Sequence, residues 1–217
     1  MLIRLDPRQL LNLCVPTMTA TRPLIIGPPM GPQAPYPLRI EGKVIRGFGR
    51  GSKELGIPTA NLPVDDKSTP WISSIKSGVY FGWAALPTHT NQPTTAAVTI
   101  AASTTKAQSE FSVYPMVMSI GYNPYYGNTI RSAEVHVLAE FGSDFYDVEM
   151  RLLILGFIRK ERNYPGQQAL IDDIKLDCDV ARSSLDRETW SLRETGKGRL
   201  DGSWLVRKIA EEDGAAV

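Results

Sequence analysis

Ala133–Phe141 reads AEVHVLAEF, and its alternation decides the fold class: Val135, Val137, Ala139 and Phe141 fall on one face, Glu134, His136, Leu138 and Glu140 on the other. A period of two with one apolar face is the mark of a half-buried strand in an antiparallel sheet. Working outward, Val148–Ile158 (VEMRLLILGFI) is the most apolar run and is expected to be central, with Gly156 marking a bulge or a close backbone approach. On the other side, Val113–Ile120 (VYPMVMSI) reads as a strand broken by Pro115, and Val79–Ala84 (VYFGWA) as another. Short strands, Gly/Pro turns and no alternation of strands with helices point to a mainly β protein built on a small closed barrel.

The remaining segments read differently. Residues 1–37 contain eight prolines and cannot form a long helix or a central strand. Their opening is faintly amphipathic with Arg4 and Arg8, but Asp6 and the scarcity of serine argue against a transit sequence. An irregular N-terminal arm lying on a domain that spans 38–217 is the expectation. Residues 87–112 are rich in Thr, Ser, Ala and Gln and read as an insertion between two strands, holding one β-like run at Ala97–Ile100. Over 167–185 the apolar residues Leu170, Ile174, Cys178, Ala181 and Leu185 recur at spacings of three and four, which predicts a C-terminal helix entered sharply from Tyr164-Pro165-Gly166. Beyond it the charged tail carries Trp190 and Trp204 without a strong period and reads as a short second helix or an ordered arm.

Composition narrows the chemistry. The 217 residues are long enough for one well-buried domain, and Lys plus Arg (24) nearly balances Asp plus Glu (23), so no global basic field exists to hold nucleic acid. The longest apolar run is far too short to span a bilayer, so no integral membrane segment is expected. Two cysteines, Cys14 and Cys178, make neither a disulfide framework nor a thiolate metal site, and point to a reducing compartment. With His89 and His136 the only histidines, a catalytic metal would be a hard ion on oxygen ligands, Mg²⁺ first.

The stretch Gly42–Pro63 (GKVIRGFGRGSKELGIPTANLP) is the densest in candidate chemistry. Glycines 47, 49 and 51 let successive N–H groups approach an anion, and Lys53 adds a point charge suited to phosphate. The loop lacks the Gly-Lys-Ser/Thr of a P-loop, the protein-kinase motifs and the bracketing strand and helix of a Rossmann site, so by itself it also reads as a turn. Thr59 and Asn61, two apart behind Pro58, can face one ion as neutral oxygen ligands or serve as turn caps. Glu134 leads the polar face of its strand, where a carboxylate is either solvated or a general base for a hydroxyl. His136 lies about 7 Å further along that face, placed to orient Glu134, contact a nucleotide or pack at the rim. The aromatic turn Gly121–Gly127 (GYNPYYG) offers planes for a flat heterocycle, and Arg159–Arg162 (RKER) places positive charge before the helix.

Taken together, GKVIRGFGRGSKELGIPTANLP (42–63), SGVYFGWA (77–84), MVMSIGYNPYYGNT (116–129), AEVHVLAEFGSDFYD (133–147) and LGFIRKERNY (155–164) resemble the eukaryotic, single-function riboflavin kinases, in that family's order and over about a third of the chain. The resemblance implies a six-stranded antiparallel Greek-key barrel with a C-terminal helix, acting as a monomer in the cytoplasm, with mitochondrial or membrane association as alternatives. It implies transfer of the γ-phosphoryl group of ATP to the 5′-hydroxyl of riboflavin, giving FMN and ADP, with Mg²⁺, or Zn²⁺ or Mn²⁺ in its place. On that pattern Gly47, Gly49, Gly51, Lys53, Thr59 and His136 contact ATP. Thr59 and Asn61 ligate the metal, Glu134 is the catalytic base, and Arg159 and Arg162 hold flavin. Many relatives carry Pro and Lys where this chain has Lys160 and Arg162, which preserves charge but alters the detail of flavin contact. The arm and the insertion are longer than in animal relatives and resemble fungal ones. Two histidines cannot supply the HxGH motif of the bifunctional bacterial enzymes, so no FAD synthesis is expected. The competing classes are a non-catalytic flavin- or nucleotide-binding barrel and an oligonucleotide-binding barrel, the latter disfavoured by the balanced charge.

Overall fold

The computed structural model describes residues 22–46, 56–88, 90, 110–122 and 131–208. Six strands, β1 (Leu38–Lys43), β2 (Ala60–Leu62), β3 (Gly78–Pro87), β4 (Phe111–Tyr122), β5 (Arg131–Val137) and β6 (Glu149–Arg159), precede one helix, α1 (Gln167–Leu185). They form a single antiparallel sheet in the order β1-β6-β3-β4-β5-β2, curled into a half-barrel. A lone bridge between Ile45, just past β1, and Asn61 in β2 links the two outermost strands.

The curl creates two cores. Residues from all six strands, among them Ile40, Leu62, Tyr80, Met118, Val135 and Leu152, fill the enclosed one. The second lies on the outer face, where Phe81, Trp83, Val117 and Leu153 meet Cys178, Val180, Ala181 and Leu185 of α1. β3 is therefore buried on both faces along its whole length, and β6 over most of its length, which is why β6 reads as continuously apolar. β5 alternates as expected, with Ala133, Val135 and Val137 buried. At Gly156 the register of β3 against β6 shifts, and a Cβ there would lie 2.5 Å from the Phe81 ring, so the glycine marks both a bulge and a close approach.

Two local expectations are revised. Pro115 does not break β4, which runs unbroken through it. Its carbonyl accepts from the Leu138 N–H at 2.9 Å, so its missing N–H also faces the β5 side, beyond Val137, and no bond to β3 is lost. Leu38–Lys43 is a strand directly after the Pro-rich segment, and Ala60–Leu62 pairs with β5 where the sequence suggested only a rigid turn. The ends of the 87–112 segment are paired, Pro87 against Phe111, while its β-like run at 97–100 lies outside the described residues.

α1 spans the expected residues and begins after an extended Gly166. Beyond it the described residues, 186–208, form an ordered arm with a 3-10 turn at Arg193–Thr195. Trp190 is buried on Phe81, with ring centroids 5.7 Å apart, and its Nε1 donates to the Pro28 carbonyl at 3.0 Å. The guanidiniums of Arg39 and Arg207 both pack on the Trp204 ring, 5.3 and 4.8 Å from its centroid. Residues 22–37 run beside this arm, with Ile26 N donating to Ser184 Oγ and Arg187 donating to the carbonyls of Ile26, Gly27 and Pro28.

Candidate active site

A cavity of about 540 Å³ opens on the outer face of the sheet, between β4, β5 and the start of α1. The alternation of β5 explains its position: while Val135 and Val137 enter the enclosed core, Glu134 and His136 face outward and line the cavity. Asn61 pairs directly with Glu134 across β2 and β5, and Ser119 pairs with Glu134 on the β4 side. Cross-strand partners hold their Cβ atoms about 5 Å apart, so three oxygen-bearing side chains form a row across the sheet. Thr59 precedes Asn61 by two residues across the buried Ala60, is half-buried like it, and lines the cavity. The fold thus assembles Thr59, Asn61, Glu134 and His136 on one surface from two segments more than seventy residues apart.

His136 has a defined tautomer. Its Nδ1 lies 2.9 Å from the Pro58 carbonyl, which can only accept, so Nδ1 carries the proton and Nε2 keeps its lone pair. Burial lowers its pKa, and the Pro58 bond opposes that shift only in part, so the ring is neutral at neutral pH. The hydrogen bond also ties β5 to the turn that carries Thr59.

The opposite wall comes from the end of β6 and from α1. Arg159 lies against the cavity but is largely engaged: Nε and Nη2 donate to Asp177 at 3.0 and 2.7 Å, Nη1 donates to the Lys160 carbonyl at 3.2 Å, and Asp173 is 3.1 Å from Nε. Burial opposes its charge, yet hydrogen bonding to Asp177 and the nearby carboxylates outweigh burial and raise its pKa. Tyr164 donates to Asp173 at 2.6 Å, and its hydroxyl is pushed up to about 12, first by burial and then by that bond. Asp173 is pushed up by burial, but Tyr164, Arg159 and Arg22 together hold it below the usual carboxylate range. Arg162 is exposed at the rim, 3.9 Å from Asp173. Leu170 and Ile174 are half-buried and turn apolar surface to the cavity, Ile174 also packing against the outer core.

Gly47, Gly49, Gly51 and Lys53, and the aromatic turn after Tyr122, lie outside the described residues. Among the described residues no group of three His, Cys, Asp or Glu could hold a metal. The donors gathered here, a hydroxyl, an amide and one carboxylate, are hard oxygens that fit Mg²⁺ and would not retain a softer ion tightly by themselves. Asp173, Asp177 and Tyr164 were missed from sequence, although a signal existed: Asp177 interrupts the apolar stripe of α1, three residues after Ile174 and four before Ala181.

The riboflavin kinase (Flavokinase) family model matches residues 34–185. A riboflavin kinase from Pyricularia oryzae is 57% identical, covering 88% of this chain and 96% of its own. One from Neurospora crassa is 53% identical, over 86% and 97%. The crystal structure of riboflavin kinase from Trypanosoma brucei aligns with a TM-score of 0.52 at 27% identity, covering 70% of this chain and 82% of that one. With a family match across most of the sheet and α1, and fungal relatives similar along nearly their whole length, this chain belongs to the riboflavin kinase family.

Proposed function

We infer that the cavity between β5 and α1 is where this chain carries out its family's reaction, ATP-dependent phosphorylation of riboflavin at the 5′-hydroxyl to give FMN and ADP. One observation carries the assignment: Glu134 faces the cavity from a rigid strand, with Asn61 directly opposite and Thr59 beside it. Phosphoryl transfer demands positioning and charge stabilisation more than covalent chemistry from the protein. Glu134, fixed between two paired strands, accepts the hydroxyl proton as the oxygen attacks in line. The Thr59 hydroxyl and the Asn61 amide oxygen would hold Mg²⁺ on the ATP phosphates, where the ion neutralises developing charge. Neutral His136 keeps Nε2 as an acceptor near the nucleotide and adds no charge beside Glu134. Gly47, Gly49, Gly51 and Lys53 are assigned to the phosphates on family pattern alone. Leu170, Ile174 and Val117 offer apolar surface to a flat ring system, with Arg159 and Arg162 at its polar edge.

The Ile45–Asn61 bridge supports closure of the half-barrel into a Greek-key barrel, with residues 38–217 as one domain and 1–37 as an arm. Among the described residues no helix is long and apolar enough to cross a membrane. A cytoplasmic monomer remains the proposal. Incubating the chain with riboflavin, ATP and Mg²⁺ and separating flavins by chromatography tests the activity: FMN and ADP should appear in equal amounts. Flavin binding with neither product would identify a non-catalytic barrel instead.

A further inference from the structure

Asp173 and Asp177 sit one turn apart on α1 and point toward the same end of β6, with side chains only 14% and 1% exposed. Two carboxylates this close and this dry require two cations. Arg159 is one. The other comes from the far end of the chain: Arg22, with a side chain 7% exposed, bonds Asp173 through Nη2 and Asp177 through Nη1. Asp177 Oδ1 is shared between the two guanidiniums. Arg159 and Asp177 line the cavity, whereas Arg22 and Asp173 stand behind them. Arg22 therefore touches no ligand but completes the charge balance of the wall that does.

We propose that Arg22 is a positioning residue that keeps this wall neutral, and so lets the cavity hold the anionic product FMN as well as neutral riboflavin. The inference rests on the reading of the cavity as the flavin site. Glu134 and Glu161 already contribute negative charge there, and among the described residues Arg162 and the engaged Arg159 are the cationic groups that line it. Loss of Arg22 leaves one unbalanced carboxylate in a poorly screened position. A neutral ligand is barely affected by such a charge, while a phosphate is repelled.

The test is flavin binding, read by fluorescence quenching on the full chain, with riboflavin and FMN at low and at physiological salt. In R22Q, riboflavin affinity should stay within about twofold while FMN affinity falls by roughly three- to tenfold at low salt, the gap narrowing as salt rises. R22K should restore FMN binding. R22Q/D173N, which removes one charge of each sign, should restore it too, and gives the same answer if R22Q alone folds poorly. Equal losses for both ligands without salt dependence, or unchanged FMN binding in folded R22Q, would overturn the proposal. Arg159→Lys separates the two readings. If it leaves both flavins bound as in the parent, the cavity is not the flavin site and the inference falls with that reading. If it weakens them while Arg22→Gln shifts nothing, only the role of Arg22 is wrong.

Discussion

At the residue scale, the site depends on a few side chains whose environment sets their protonation. Glu134→Gln keeps the shape of β5 but removes the proton acceptor, so turnover should drop by about 10²- to 10⁴-fold with an unchanged melting temperature. Near-parental kcat in that variant would remove Glu134 from the chemistry. Burial holds His136 below its ordinary value of 6.5, so the unfolded chain binds its proton first as pH falls. Its contribution to stability is complete above pH 6.5 and disappears as pH falls toward the lowered folded value. Melting temperatures measured from pH 7.5 to 5 should decline in the parent and decline less steeply in His136→Gln. Equal slopes would show that His136 is not the group responsible.

At the scale of elements, α1 is joined to β6 by buried charge as well as by apolar packing. Asp177→Ala would leave Arg159 and Arg22 buried with Asp173 as their one shared carboxylate, a loss of about 3–5 kcal/mol on the usual scale for a broken buried pair. Urea unfolding measures it directly, and a loss below 1 kcal/mol would mean that water or Asp173 replaces the contact. The bulge in β6 makes a separate prediction. In Gly156→Ala the new methyl group would meet the rigid Phe81 ring, which is itself packed on Trp190, so overpacking should cost about 1–3 kcal/mol. A neutral outcome would show that the β3–β6 register can shift to make room.

At the scale of the whole molecule, the two ends of the described chain close over the outer core together. Trp190 is their common support: it covers Phe81, donates to Pro28, and its backbone carbonyl accepts from Trp83 Nε1 at 3.1 Å. Trp190→Ala should cost about 3–5 kcal/mol. It should also release residues 22–37 to limited proteolysis under conditions where the parent is resistant. Resistance in the variant would mean that the Arg187 and Arg22 contacts suffice to hold the segment.

The sequence by itself determined the class of the fold, because alternation along β5 and the helical spacing of α1 are local properties that no distant contact must supply. It also singled out Thr59, Asn61 and Glu134 as residues with the right donor chemistry, and its motifs named the family. Register and partnership were decided only by the tertiary structure. That Asn61 stands opposite Glu134 depends on a three-residue strand too short to show a period. That Asp177 binds Arg159, and also Arg22 from 155 residues away, is a partnership that sequence spacing cannot encode. A carboxylate in an apolar stripe shows that a partner is required; only the packed chain shows which guanidinium arrives.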